Sequence, residues 1–127
     1  MNVETIREYC LSKKGVTESF PFDDVSLVMK VMDKMFALID LEGANSISLK
    51  CDPERAIELR EHYAGIEGAY HFNKKHWNGI NMHGTLSDKF IEELIEHSYR
   101  EVIQKLPKSF VKENFPEFSL TESNRGK

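Results

Sequence analysis

Cysteine is scarce in this chain, since its 127 residues include only Cys10 and Cys51. Two cysteines are too few for the disulfide framework of a small secreted domain, so we expect buried free thiols rather than a bridge. Long apolar runs are also missing, because no stretch approaches the roughly 20 apolar residues that span a bilayer. The first residues lack the basic and apolar segments of a secretory signal peptide. The sequence therefore predicts a cytoplasmic protein without membrane contacts.

An excess of positive charge is missing as well. The chain has 17 Lys and Arg against 21 Asp and Glu, which gives a net charge of -4 at pH 7. This balance argues against a protein that coats nucleic acid by bulk electrostatics. A locally basic face stays open, because the cationic side chains can still cluster on one surface. Length and composition, with 40% hydrophobic and 30% charged residues, are typical of one soluble globular domain.

Hydrophobic periodicity and turn residues predict an α+β protein with the order helix, three strands, helix, two strands, helix. Asn2, Asp52 and Ser87 mark helix starts, because their side chains can accept hydrogen bonds from the free N–H groups of a first turn. Consecutive strands with hairpin-length connections favour a two-layer fold in which helices pack on an antiparallel sheet. The predicted bounds are helix 2–14, an extended segment 20–23, strands 25–32, 35–41 and 46–51, helix 52–64, strands 70–73 and 77–82, and helix 87–106.

Pro107 marks the end of the last predicted helix and of the predicted domain. We expect residues 1–106 to form a single domain and residues 107–127 to form a C-terminal extension. Phe110, Phe115 and Phe118 are expected to hold part of the extension against the domain. Residues 121–127 are expected to be loose.

The strongest candidate for a functional surface is the segment 70–78, which reads Tyr-His-Phe-Asn-Lys-Lys-His-Trp-Asn. Lys74 and Lys75 at a loop tip can neutralise phosphates, and Trp77 can stack on unpaired bases. Aromatic side chains beside lysines also form hot spots for protein partners, and a sheet edge can accept an extended peptide. The alternative is a solvated lysine turn beside a core tryptophan, which the acidic composition favours over a DNA contact.

Histidines near this segment raise the question of a metal site. His71 and His76 flank the loop, and His62 can lie nearby. Zinc normally takes three or four ligands, and no cluster of cysteines or carboxylates accompanies these residues. Structural or hydrogen-bonding histidines are therefore favoured, and we expect no metal and no cofactor.

A catalytic histidine would need a nucleophile, for which Cys51, Ser98 and Tyr99 are the candidates. Cys51 is predicted to lie on the inward face of its strand. Ser98 lies in an apolar helical stripe, where a small residue permits close packing. Because no base and nucleophile are paired in the pattern, we expect that the protein is not an enzyme.

Several motifs in a fixed order resemble the MmcQ/YjbR family of small bacterial proteins, over roughly residues 1–106. These motifs are Tyr9-Cys10-Leu11-Ser12-Lys13, Gly15-Val16-Thr17-Glu18, Phe20-Pro21-Phe22-Asp23, Lys34-Met35-Phe36-Ala37, Leu49-Lys50-Cys51-Asp52-Pro53, Leu59-Arg60, Tyr63, Gly65-Ile66, His71-Phe72-Asn73-Lys74-Lys75-His76-Trp77-Asn78 and Ser98-Tyr99. The resemblance implies a compact α+β fold with a two-layer arrangement like that of CyaY or of secretion chaperones. It also implies DNA binding, because hairpins of the family's sheet resemble a double-wing motif.

The resemblance also implies a set of contact residues. Lys74 and Lys75 would contact phosphates, and Trp77 would stack on or wedge between bases. The alternative is a chaperone-like module that binds a protein or peptide through the same hairpin or a sheet edge. We expect a monomer or a weak dimer in either case. Carried over by position, the DNA- or partner-binding residues are Lys50, Arg60, Asn73, Lys74, Lys75, His76 and Trp77.

Overall fold

The structure is a computed structural model that describes residues 1–43, 46–69 and 72–118. Its elements follow the chain in this order: α1 (Val3–Leu11), β1 (Val16–Ser19), β2 (Ser26–Val31), β3 (Lys34–Asp40), β4 (Ser46–Lys50), α2 (Pro53–His62), β5 (Ile66–Gly68), β6 (Trp77–Asn81), α3 (Asp88–Ile103) and α4 (Lys108–Asn114). Residues 116–118 form a further helical turn at the end of the described chain. The predicted α+β class is confirmed.

All six strands belong to one antiparallel sheet with the order β1-β2-β3-β4-β6-β5. The predicted three-strand meander corresponds to β2, β3 and β4. Strand β1 was not predicted, and the extended segment 20–23 is instead the connection that follows it. The predicted strand 70–73 was misplaced, because its counterpart β5 occupies residues 66–68. Tyr70 and His71 lie outside the described residues.

The predicted helix starts are confirmed by their hydrogen bonds. The Thr5 amide donates to Asn2 Oδ1 at 2.8 Å. The Arg55 amide donates to Asp52 Oδ2 at 3.1 Å, and the Phe90 amide donates to Ser87 Oγ at 3.1 Å. Each cap satisfies an N–H group that has no partner within its own helix.

The two faces of the sheet differ in what covers them. One row of registered residues faces the helices and consists of Leu27, Ile39, Ile47, Ile80 and Ile66. The buried hydrophobic residues of α1, α2, α3 and α4 all belong to the same hydrophobic cluster as this row. Because side chains alternate along a strand, the adjacent row lies on the opposite face, which we call the open face. That row consists of Val28 and Leu38, which are both buried, and of Ser48, Gly79 and Glu67.

The C-terminal residues beyond Pro107 contribute to the main core. Helix α4 was not predicted, and its Val111 is buried together with Phe115 and Phe118. The Phe115 ring is 1% exposed and lies 3.6 Å from the position that a Cβ atom on Gly15 would occupy. Packing against the body therefore reaches at least Phe118. The predicted loose segment 121–127 lies outside the described residues.

Candidate nucleic-acid interface

The junction between β4 and α2 is held by bonds from three consecutive backbone amides. The Lys50 amide donates to Ser98 Oγ at 2.9 Å, and the Cys51 amide donates to the His76 carbonyl at 2.7 Å. The Asp52 amide donates to His97 Nε2 at 3.2 Å. Helix α3 on one side and the loop before β6 on the other therefore fix the end of β4 that carries Lys50.

Ser98 has a larger role than the close packing expected from the sequence. Its hydroxyl is fully buried, accepts the bond from the Lys50 amide and donates to the Phe36 carbonyl at 2.5 Å. The pairing of β3 with β4 runs from Ile39–Ile47 to Ala37–Leu49. At the next position the serine hydroxyl bridges the two strands, so a helix side chain replaces a bond of the sheet.

The loop before β6 is a compact turn built around Asn73. Its side-chain oxygen accepts from the Lys75 amide at 2.8 Å. Its carbonyl accepts from the amides of His76 at 3.1 Å and Trp77 at 3.0 Å. Asn73 therefore shapes the turn that presents the two neighbouring lysines, although it was predicted to contact a partner.

Arg60 supports this loop from helix α2. Its Nη1 donates to the Lys74 carbonyl at 2.7 Å and to Asn78 Oδ1 at 2.9 Å. Asn78 is 1% exposed, and its amide nitrogen donates to the Ala56 carbonyl at 3.3 Å. Arg60, which was predicted to contact a partner, thus connects α2 to the loop through hydrogen bonds.

Trp77 is 8% exposed, and its ring stacks on Phe72 with centroids 4.6 Å apart. The predicted stacking or wedging of Trp77 on bases is therefore corrected, because the indole is covered and already has an aromatic partner. The residue type alone indicated an exposed aromatic side chain, but in the structure Phe72 covers the Trp77 ring. Trp77 supports the hairpin from within.

Among the described residues of the loop before β6, the exposed side chains are Asn73 and two lysines. Lys74 and Lys75 are both exposed, and the aliphatic stem of Lys74 crosses Gly68, where an added Cβ atom would lie 2.8 Å from the lysine Cδ. Lys50 is the register partner of Trp77, so the end of β4 and this loop lie at the same end of the sheet. Burial lowers the pKa of Lys50, and the positive charges of Lys105 and Lys34 lower it further, against Glu101.

We call this group the lysine rim, defined as Lys34, Lys50, Lys74, Lys75 and Lys105. Among the residues that the structure describes, none of the five forms an ion pair. Lys34 and Lys105 were not predicted as site residues. They lie far from Lys50 in sequence, and only the strand pairing and the end of α3 bring the three charges together.

The positions of the described histidines give little support to a metal site or a catalytic histidine. His76 is partly buried, and its Nδ1 has no hydrogen-bond partner among the described residues. Within residues 1–43, 46–69 and 72–118, no three His, Cys, Asp or Glu side chains are grouped so as to hold a metal ion. His71 lies outside this range.

The predicted candidate nucleophiles are engaged in the fold. Both cysteines are buried free thiols, and burial raises the pKa of Cys51 to about 11. Burial also raises the pKa of Tyr99 to about 12, and its hydroxyl donates to the Lys14 carbonyl at 2.5 Å. Ser98 uses its hydroxyl to bridge β3 and β4. In the described helices no segment is long and apolar enough to cross a membrane.

Comparison with known proteins identifies the family. Uncharacterized protein YjbR of Escherichia coli K12 is 32% identical over 108 residues, which cover 84% of this chain and 92% of that protein. Uncharacterized protein YbdF of Escherichia coli O157:H7 is 32% identical over 106 residues, which cover 83% of this chain and 87% of that protein.

Solved structures show the same fold. The crystal structure of Deinococcus radiodurans protein DR2400, described as a DUF419 domain, matches with a TM-score of 0.78 and 39% identity over 92% of this chain and 87% of that chain. A crystal structure from Pseudomonas syringae, target PsR293, matches with a TM-score of 0.65 and 32% identity over 77% of this chain and 96% of that chain. The sequence model of the YjbR family matches residues 11–101, and the chain therefore belongs to the YjbR family.

Proposed function

We propose that the protein binds DNA through the lysine rim. The observation that supports this proposal is the gathering of five lysines, from separate segments of the chain, at one end of the sheet, where none of them forms an ion pair among the described residues and Glu101 is the acidic neighbour of Lys50. Like charges that are brought together raise the local positive potential, and the net charge of -4 does not cancel it at close range. Phosphate groups are the ligands that such a potential attracts.

The rim is suited to contact the phosphate backbone rather than to read bases. Its side chains are lysines, which act as point charges without the fixed geometry of a bidentate contact. Arg60 donates to two protein acceptors, and Trp77 is covered by Phe72. We therefore expect weak sequence preference and binding that weakens steeply as salt is added.

A protein or peptide partner at the same hairpin has less support. Hot spots at protein interfaces are commonly exposed aromatic or arginine side chains that become buried on binding. At this hairpin the tryptophan is already buried, and the arginine is part of the loop support. The side chains left for a partner are mainly lysine ammonium groups.

The proposal is tested by fluorescence anisotropy of a labelled duplex and a labelled single strand at about 50 and 200 mM salt. For the Lys74→Ala/Lys75→Ala variant we expect a loss of affinity of roughly ten- to a hundredfold and a salt slope shallower by about two. The matched control is Lys89→Ala/Lys112→Ala, which removes two exposed lysines on α3 and α4 and should change affinity less than about twofold. Equal binding by both double variants would contradict the proposal.

A further inference from the structure

The open face of the sheet carries a groove of about 550 Å³, which reaches the lysine rim at Gly68, where the stem of Lys74 crosses. Ser48 and Gly79, which are register partners, both line it, and the start of β4 and the end of β6 continue it through Ser46 and Asn81. The buried hydrophobic residues of the described helices all lie in the core on the other side of the sheet. The volume falls within the range of roughly 300–1,000 Å³ that is typical of ligand sites.

The charged side chains that line the groove are all acidic, namely Asp23, Asp40, Glu42 and Glu67. Asp23 and Asp40 each use an oxygen to accept turn amides, from Val25 at 3.0 Å and from Glu42 at 3.0 Å. The carboxylates of Glu42 and Glu67 form no hydrogen bond or ion pair with the described residues. Because no lysine or arginine lines the groove, it attracts a positively charged ligand.

Two large aromatic side chains stand beside the groove in an exposed loop. Phe20 is 48% exposed and Phe22 is 64% exposed, and both precede the groove residues Asp23 and Val25 in the β1–β2 connection. Phenylalanine is usually buried, and exposed aromatic pairs next to a concavity mark interaction sites. These two rings supply an apolar contact that a small cation would not use.

We propose that the groove and the Phe20–Phe22 loop bind a basic peptide segment in an extended conformation. The lysine or arginine side chains of the segment lie against Glu42 and Glu67, and its apolar side chains contact Phe20 and Phe22. Two features favour a peptide over a small organic cation: a concave strip that crosses five strands of the sheet, from β2 to β5, and aromatic anchors beyond its end. This site goes beyond the proposed DNA contact, since it carries the opposite charge and uses other residues.

The test uses a fluorescein-labelled peptide of about ten residues in which lysine and valine alternate, as the two sides of an extended chain do. A peptide with glutamate in place of lysine is the reference ligand. We expect the lysine peptide to bind at low salt at least roughly tenfold more tightly than the glutamate peptide. Glu42→Gln/Glu67→Gln and Phe20→Ala/Phe22→Ala should each weaken that binding by roughly tenfold.

The matched control is Glu58→Gln/Glu61→Gln, which removes the same charge from exposed positions on α2 and should bind the peptide like the parent. Lys74→Ala/Lys75→Ala should bind the peptide at least as tightly as the parent, because it removes cations near the groove, whereas the same variant should lose DNA affinity. Equal binding of the two peptides, or parent-like binding by the Glu42→Gln/Glu67→Gln variant, would overturn the inference. A dimer in sedimentation that dissociates in the glutamine variant would overturn it too, because the occupant would then be a second copy of this chain.

Discussion

The two ends of the sheet carry opposite charge. At one end the lysine rim gathers five cationic side chains around Lys50 and the loop before β6. At the other end the groove is lined by four carboxylates, with no lysine or arginine among its lining residues. The net charge of -4 is the sum over the whole chain and reflects the charge of neither the rim nor the groove. Total charge is therefore a poor guide to the partner of a protein whose charges are segregated.

The separation runs along the strands. Ser46 begins β4 and Ser48 is the last β4 residue that lines the groove, whereas Lys50 ends β4 at the rim. At about 3.3 Å per residue, the Cα atoms of Ser46 and Lys50 are about 13 Å apart, and those of Ser48 and Lys50 are about 7 Å apart. The Debye length at physiological ionic strength is about 8 Å, so the rim charges reach the near side of the groove and are largely screened at its far side. The salt concentration therefore sets how far each ligand affects the binding of the other.

Ser98→Ala is expected to have the largest effect on the difference between the two ends of the sheet. The substitution leaves the Lys50 amide and the Phe36 carbonyl without their bridge at a buried position, which should lower the free energy of unfolding by about 1–3 kcal/mol. The groove end keeps its continuous pairing of β3, β4 and β6. Urea denaturation gives the stability change, and hydrogen exchange should accelerate at Lys50 but not at Ile47.

The control for this change is Ser12→Ala. The Ser12 hydroxyl also donates to a backbone carbonyl, that of Tyr9 at 2.6 Å, but this contact is exposed. Its loss should cost less than about 0.5 kcal/mol. If Ser98→Ala were as mild as Ser12→Ala, the helix would not hold the rim end of the sheet.

A smaller and more local effect is expected from Gly79→Val. A Cβ atom at Gly79 would meet Ala69 Cα at 3.8 Å and the Glu67 carbonyl at 3.9 Å, which are ordinary contacts. A β-branched residue suits a strand, so stability should hold or rise slightly. The valine methyl groups enter the groove, and affinity for the lysine peptide should fall roughly tenfold.

DNA affinity provides the contrast for Gly79→Val. Because the substitution adds volume only at the groove, binding of the labelled duplex should not change. A variant that lost both ligands would show that the two ends are coupled. A thermal melt with an unchanged midpoint would exclude unfolding as the cause of a selective loss.

Local signals in the sequence predicted much of the fold. Asn2, Asp52 and Ser87 act within one turn of their own position, so residue type was sufficient to place the helix starts. Strand β1 was missed because its four residues include Thr17, Glu18 and Ser19 and pair with a strand ten residues later. The strand is too short and too polar to show a hydrophobic pattern, and only its pairing with β2 identifies it.

The candidate site shows a different limit of sequence reasoning. Lys74 and Lys75 were predicted as exposed loop residues, and the structure places them so. Arg60 and Trp77 were assigned to a partner because their chemistry suits one, whereas both support the hairpin. Residue type states what a group can bind but not which way it faces. Lys34 and Lys105 join the site only through tertiary packing.

The smallest effect is expected from Lys50→Met, which separates binding from stability at one residue. The folded pKa of Lys50 is lowered by burial and by Lys105 and Lys34, so the charged ammonium destabilises the folded state. By linkage, the penalty is fully present well below the folded pKa, and it disappears as the pH rises through that value toward 10.5, the usual pKa of lysine. At pH 7 Lys50→Met should therefore raise the free energy of unfolding by less than about 1 kcal/mol.

The gain in free energy of unfolding of the Lys50→Met variant over the parent should shrink as the pH approaches 10.5, the usual pKa of lysine. Urea denaturation of both proteins at several pH values measures this difference directly. Lys112→Met, at an exposed position on α4, should show no gain at any of these pH values. DNA affinity of Lys50→Met should fall at pH 7 although the protein is more stable. A variant that lost stability and affinity together would indicate that Lys50 is structural, and that the rim consists of the loop lysines alone.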